Sequence, residues 1–503
     1  MEDRENLEGF TIRPYRSKRL NEYCKRMSQD DLSIIFDDNV YAALQLQSLP
    51  VEESPRSVYK VEKLYEALQA YSPKNNFNLR FDDNIKAGVA LAYKCFARGN
   101  HQMLHILPLV PETVELVTSN PKGSPGLTNY GVSKTESKVR ALARAKQTLE
   151  GVKGTEACIA FKRTQFNDKT RLVWGYPYSM TLIEGLVAYP LLQKFKGGWT
   201  PMAFAMTSGY LGTKLRVASY HSKWAYSIDM TQFDSSICGR LINIAFQIIQ
   251  TWFDPEEVEP TTGRSVREIL HLVEKYFITT PIVMPNSMIY IGKNHGVPSG
   301  SFFTQMVDSI VNVIVAGALS ANFHMNVDRE RIFVLGDDLL MWSDRLIDLD
   351  DMAKYVNRYL GIKMHGSEKS NVYHFDETIH FLGRDWTKGV PSLDSSEILK
   401  RMLYPERFRK YSSDPVIRDR QVTLLLLSYA STYWGAWNII QEALGSNLWY
   451  LQDPELIDRR VYDANDRLEL DPDHLSGLTR YQMKYGGFGR KSKFTTTATN
   501  FWS

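Results

Sequence analysis

An α+β fold is the expectation, and three observations carry it. Short apolar runs bounded by turn residues read as strands at 223–228 (KWAYSI), 281–295 and 331–343. Helical patterns interrupt them at 239–253 and 301–320. The strands end on charged residues that such a chain could gather into one site. The composition, 43% hydrophobic and 23% charged, suits a globular enzyme and excludes a disordered or collagen-like chain. At 503 residues there is room for two to four domains, or for one large enzyme with subdomains. Cys24, Cys95, Cys158 and Cys238 are far apart, which argues against a disulfide framework or a thiolate zinc site and fits a reducing compartment. The opening MEDRENLEGF is acidic and polar, unlike a secretory signal. No stretch reaches about 18 uninterrupted apolar residues, so no membrane-spanning helix is expected.

Taken in order, residues 1–118 read mainly as amphipathic helices, as in YKVEKLYEALQAY at 59–71. The Gly-, Pro-, Ser- and Asn-rich stretch 119–131 reads as a loop and a candidate boundary. The charge then changes. Between 121 and 171 eleven Lys/Arg face four Asp/Glu, a net of +7 in a chain whose total is +3. Around Lys134–Lys146 this can be an ordinary solvated helix face. Lys162, Arg163, Lys169 and Arg171 differ, because they flank the apolar runs CIAF and LVWGYP. That pattern suggests paired strands carrying cations toward an anion. Residues 281–295 read as a hairpin turning at Pro-Asn-Ser, 331–343 as strand, tight turn and strand, and 386 onward as mostly helical. The last stretch, 480–503, has five basic residues, no acidic ones, and four Phe/Trp after Gly487.

The carboxylates come next. Asp229 ends an apolar strand and Asp234 follows five residues later; Asp337 and Asp338 sit behind Gly336 at the turn of the 331–343 hairpin. An acidic pair at a tight turn is costly unless a cation sits there, although GDD alone also suits an ordinary hairpin turn. Mg²⁺ favours a few carboxylates plus substrate phosphates, and two such ions about 4 Å apart can serve phosphoryl transfer. In GVPSGSFFTQMVDSIVN (296–312), Pro298, Ser299 and Gly300 form a flexible loop, with Ser301 a candidate helix cap. Thr304, Asp308 and Asn312 then share one face of an otherwise apolar helix. A buried polar stripe needs partners, and a ribose 2′-hydroxyl is one.

These motifs resemble the RNA-dependent RNA polymerases of small double-stranded RNA viruses, of the partitivirus and picobirnavirus kind, in the same order across about 160–385. DMTQFD (229–234), the 296–312 segment and GDD (336–338) match the first three palm motifs. GIKMHGSEKS (361–370), FLGR (381–384) and FKRTQFNDKTRLVWGYP (161–177) resemble the fourth, the fifth and the basic fingers motif. The resemblance implies a closed right-hand polymerase, with fingers, a palm built on an antiparallel sheet, and a helical thumb. Its parts would be 1–218 (fingers with N-terminal fingertips), 219–240 (palm), 241–290 (palm helix and fingers insertion), 291–385 (palm) and 386–503 (thumb and tail). It implies two Mg²⁺, replaceable by Mn²⁺, on Asp229, Asp337 and Asp338, with Lys369 as proton donor. Lys162, Arg163, Lys169 and Arg171 would hold the triphosphate. Asp234, Ser299, Thr304, Asp308 and Asn312 would sense the ribose. Pro298, Ser299 and Gly300 would follow translocation, and Phe381, Leu382, Gly383 and Arg384 would support the primer. Many relatives carry Asn where this chain has Asp308, so either Asp308 or Asn312 could partner Asp234. The implied partners are RNA, rNTPs and a capsid protein, for a monomeric unit without a membrane anchor, in the virion interior and host cytoplasm.

A reverse transcriptase would share paired palm aspartates but favour a bulky residue near Asp234, where this chain offers polar Thr304, Asp308 and Asn312. A silent RNA-binding scaffold would use the basic strip and the tail equally well, but leaves three ordered acidic motifs unexplained. His101 and His105 lack the Glu of a zinc protease motif and read as ordinary helix residues. No phosphate loop of the NTPase type occurs.

Overall fold

The computed structural model describes residues 7–45, 58–73, 81–164, 170–196, 198–406 and 408–432. Lys169 and the 480–503 tail lie outside them.

The 20-residue helix Thr304–Phe323 is the centre of the molecule. Apart from the face carrying Thr304, Asp308 and Asn312 it is mostly apolar, and such a helix is stable only when surrounded; Met306 through Leu319 are all buried. By length and composition it could cross a membrane, yet it is mostly buried within this fold. It lies against the helix Asp83–Phe96, capped by the Asp82 side chain, and against the strand Ile332–Leu335.

A four-stranded antiparallel sheet lies beside it, in the order Ile332–Leu335, Asp338–Ser343, Trp224–Ile228, Asn371–His374. The expected strand–turn–strand at 331–343 and the strand before Asp229 are both present. A second sheet of five strands runs Thr11–Pro14, Met288–Ile291, Ile282–Val283, Cys158–Thr164, Thr170–Gly175. Its last pair is the basic ribbon, in antiparallel register with Arg163 opposite Arg171 and Lys162 opposite Leu172. Thr11–Pro14 is a strand inside the stretch expected to be mainly helical: it pairs with Met288–Ile291 and so covers an open edge.

The helix Tyr178–Phe195 follows the ribbon and contains Pro190. Proline cannot donate to the Leu186 carbonyl; Leu107 N takes that place at 3.0 Å, coming from another part of the chain. His101 and His105 read as helix residues in the sequence, but 101–105 are not helical. Leu104 makes a parallel bridge to Phe253, His101 stacks on Trp252, and the exposed His105 lies 3.2 Å from Glu257. Beyond 386 the expected helices Ser395–Leu403 and Pro415–Thr432 come only after a three-stranded sheet spanning Ile379–Ser392.

Candidate active site

The first aspartates meet because of strand register. Ile228 pairs with Leu339, so one further step along each strand sets Asp229 beside Asp338. The hairpin closes at Leu335 opposite Asp338, which makes Gly336 and Asp337 its two turn residues. Gly336 has φ +62° and Asp337 is not left-handed, the arrangement of a two-residue turn with glycine first. Asp338 is therefore the first residue of the returning strand rather than part of the turn. The central helix pins this turn from below: Asn312 Nδ2 donates to Gly336 O at 2.7 Å, and Gly336 N donates to Ser309 Oγ at 3.1 Å.

Asp338 is enclosed by the cleft yet still open to water. That enclosure pushes its carboxyl up to about 7; Asp337 and Asp229 add to the rise and Arg171 opposes it. Asp234 sits on a single helical turn, Phe233–Ser236, entered through Gln232 at φ +51°. Burial and then Asp337 raise it to about 6, again against Arg171. Asp308 is buried and driven well above the ordinary carboxylate range by burial, Asp234 and Asp337. Its Oδ1 has no hydrogen-bond partner among the described residues, and neither has Oδ1 of Asn312. The structure thus brings Asp229, Asp234, Asp308, Asp337 and Asp338 into one electrostatic cluster under Arg171. The Asn312 amide nitrogen is spent on the GDD turn, not on Asp234.

The Pro298–Ser301 loop is held on several sides. Ser299 Oγ accepts from Trp174 N at 3.2 Å, and Thr304 Oγ1 donates to Pro298 O at 2.7 Å. A Cβ on Gly300 would fall 2.2 Å from Trp174 O, so only glycine fits there. Ser301 is not the helix cap expected: the helix starts at Thr304 with Phe303 in the cap position, and Ser301 Oγ accepts from Phe303 N at 3.0 Å within the turn before it.

Elsewhere the geometry departs from the expected roles. Pairing with Leu172 turns Lys162 to the opposite face of the ribbon from Arg163 and Arg171. There its Nζ bonds Asp31 at 3.0 Å and lies over the Tyr59 ring at 4.1 Å. Arg163 reaches Glu406 at 3.1 Å, which relieves the repulsion of two arginines directly opposite each other. Of the described cations on the ribbon, Arg171 is the one whose charge acts on the carboxylates. Phe381 and Arg384 are buried, with Arg384 Nη1 bonded to Ser208 Oγ at 3.2 Å. Leu382 and Gly383, both with positive φ, form the tight turn between them.

Lys369 is linked to the cluster through a residue that motif reading missed. Its Nζ is 3.3 Å from His365 Nε2; the other ring nitrogen faces Glu368 at 2.8 Å, and His365 Nε2 lies 3.6 Å from Asp229. Glu184 and Tyr71 were missed as well. Glu184 is a lone acid in the apolar helix Tyr178–Phe195, which was a usable signal. Tyr71 donates to Val297 O at 3.3 Å, and nothing in its local sequence indicates that contact. A cavity of about 370 Å³ lined by Lys214, His221, Arg329 and Arg331 lies at the other end of the Ile332–Leu335 strand, away from these carboxylates.

The fold identifies the class. The chain resembles a human picobirnavirus RNA-dependent RNA polymerase lacking its insertion loop, with a TM-score of 0.65 at 14% identity over 92% of this chain and 97% of that one. It also resembles the Sicinivirus 3Dpol polymerase, with a TM-score of 0.62 at 16% identity over 82% and 91% of the two chains. It has the right-hand polymerase fold. The family described as viral RNA-dependent RNA polymerase matches residues 164–439, more than half of the chain. The chain belongs to that family. It is 32% identical over 235 residues to the RNA-directed RNA polymerase of Cryptosporidium parvum virus 1, covering 44% of this chain and 42% of that protein. It is 25% identical over 232 residues to that of Atkinsonella hypoxylon virus, covering 44% and 33%. The matched stretch is thus less than half the length of either relative.

Proposed function

We propose that this chain is a template-directed RNA polymerase that joins rNTPs to an RNA 3′-hydroxyl and releases pyrophosphate. One observation carries the reading: strand register sets Asp229 beside Asp338, with Asp337 at the adjoining turn and Arg171 acting on the same carboxylates. Among the described residues, no three His, Cys, Asp or Glu side chains form a ready-made metal cage. The donors are instead hard oxygens, reachable by water and crowded by like charge, which fits Mg²⁺ ions that take their remaining ligands from substrate phosphates. Asp229, Asp337 and Asp338 would hold them, and Mn²⁺ would substitute. When bound, such ions stabilise charge on the attacking and leaving oxygens.

The chain's own residues do the rest. Arg171, with Arg163 across the ribbon, grips the triphosphate, a task suited to planar guanidinium groups. Asp308, which burial biases toward its protonated form, would meet the ribose together with Asp234 and offer a donor–acceptor pair to a 2′-hydroxyl. Lys369, oriented by His365, gives a proton to the departing pyrophosphate. We assign fingers to 1–218, palm to 219–240 and 291–385, the palm helix and fingers insertion to 241–290, and the thumb to 386 onward. The likeness to partitivirus and picobirnavirus polymerases extends the proposal to copying a double-stranded RNA genome beside a capsid protein, inside the particle and in the host cytoplasm.

The test is labelled rNTP incorporation on single-stranded RNA with Mg²⁺ or Mn²⁺, beside Asp337→Asn. Metal-dependent, template-complementary product that disappears in the variant supports the reading. RNA binding without product, in solution and in assembled particles, sinks it.

A further inference from the structure

Glu184 is wholly buried and lies outside the carboxylate cluster. Its Oε1 accepts from Tyr176 Oη at 2.8 Å; its Oε2 accepts from Ser301 Oγ and from Phe302 N, both at 2.8 Å. The ionisable groups nearest it, Tyr176, Tyr276 and Cys158, are themselves buried and held neutral. A buried carboxylate without a cation is expensive unless donors surround it. Here the donors tie a helix of the fingers side to the root of the Pro298–Ser301 loop, 117 residues away.

The loop has two unequal supports. Its tip, Ser299–Gly300, is exposed or half-buried and holds the Trp174 backbone by one 3.2 Å bond. Its root gives two bonds to one buried carboxyl oxygen, both at 2.8 Å and so both shorter than the single bond at the tip. Ser301 Oγ, having donated to Glu184, is also oriented to accept from Phe303 N, at the start of the helix that carries Thr304 and Asp308.

We propose that Glu184 is a positioning residue for RNA synthesis: it fixes the root of the Pro298–Ser301 loop while the tip moves, and so sets how the Thr304–Asp308 face meets the ribose. This rests on the polymerase reading above. Hydrogen bonding, not charge, is what the role requires. In Glu184→Gln the amide oxygen can keep Ser301 and Phe302, and the amide nitrogen can donate to the Tyr176 hydroxyl.

The test uses the full chain in single-nucleotide primer extension, measuring kcat and KM for an rNTP and for its dNTP. Glu184→Ala is expected to reduce ribose discrimination by roughly tenfold through kcat rather than KM, with Glu184→Gln close to wild type. Ser301→Ala and Tyr176→Phe each remove one bond from the same carboxylate, so they keep the question answerable if Glu184→Ala does not fold. Only Ser301→Ala, on the loop side, is expected to lower discrimination. The inference is overturned if discrimination is unchanged in Glu184→Ala and Ser301→Ala, if Tyr176→Phe lowers it equally, or if Glu184→Gln fails to restore it. A wild-type chain that makes no templated product overturns the polymerase reading instead.

Discussion

Glu184 and Asp338 are both carboxyls pushed up to about 7, and they arrive there by different routes. Glu184 is raised by burial alone, and its hydrogen bonds from Ser301, Tyr176 and Phe302 oppose the rise. Asp338 is enclosed but wet, and Asp337 and Asp229 push it further while a single arginine opposes them. One region is dry and satisfied by neutral donors. The other is crowded by like charge and holds oxygens of Asp308 and Asn312 that have no partner among the described residues. The contrast separates a support from a site: the support is complete in the protein alone, and the site is complete only with ligand.

The sharpest way to break this contrast is Asp337→Asn. RNA synthesis is expected to fall by roughly 10³-fold, with denaturant stability unchanged or raised, because a crowded charge has been removed. A large loss of stability would mean that the carboxylate belongs to the support. The next effect concerns pH. Unfolded, Glu184 titrates near 4.5; folded, near 7. The folded chain holds that proton more tightly, so the contribution of Glu184 to stability declines as pH rises from about 4.5 to about 7 and is level above. Glu184→Gln removes that contribution and leaves those of Asp234 and Asp338. Relative to wild type it should gain between pH 5 and pH 8, by at most on the order of 3 kcal/mol, measured by denaturant unfolding at each pH.

A smaller effect is expected at Arg171. Arg171→Ala should lower kcat/KM for rNTPs by about thirtyfold with little change in unfolding. Asn312→Ala should do the reverse, costing about 1–2 kcal/mol by freeing the buried Gly336 carbonyl. Smallest of all, Lys162→Ala should cost under about 1 kcal/mol and leave rNTP kinetics alone, since its partner Asp31 is half-exposed. A raised KM for rNTPs in Lys162→Ala would return that lysine to the site.

The fold was legible where local signals suffice. The hairpin around Gly336, the strand ending at Asp229, the apolar helix after Ser301 and the basic ribbon all follow from turn residues and from periods of 2 and 3.6 residues. The misreadings share one cause. Thr11–Pro14 lies in the stretch read as mainly helical and becomes a strand because Met288–Ile291 presents an edge to it. His101 and His105 have helical spacing, but Leu104 is drawn into an extended bridge with Phe253. Arg384 looks free to contact RNA and is instead buried against Ser208, 176 residues away.

By itself, then, the sequence determined the elements, the chemistry of each motif and their order, because capping, turn geometry and side-chain periodicity act over a few residues. Only the tertiary structure decided which oxygen Glu184 gives to which donor, that Lys162 faces Asp31 and Arg171 faces the carboxylates, and that Asn312 holds Gly336. Those are choices between faces and between partners distant in sequence, 24 residues apart for Asn312 and Gly336 and 131 for Lys162 and Asp31. They are made by packing, in which a buried polar group must find whatever partner the fold brings within hydrogen-bond reach.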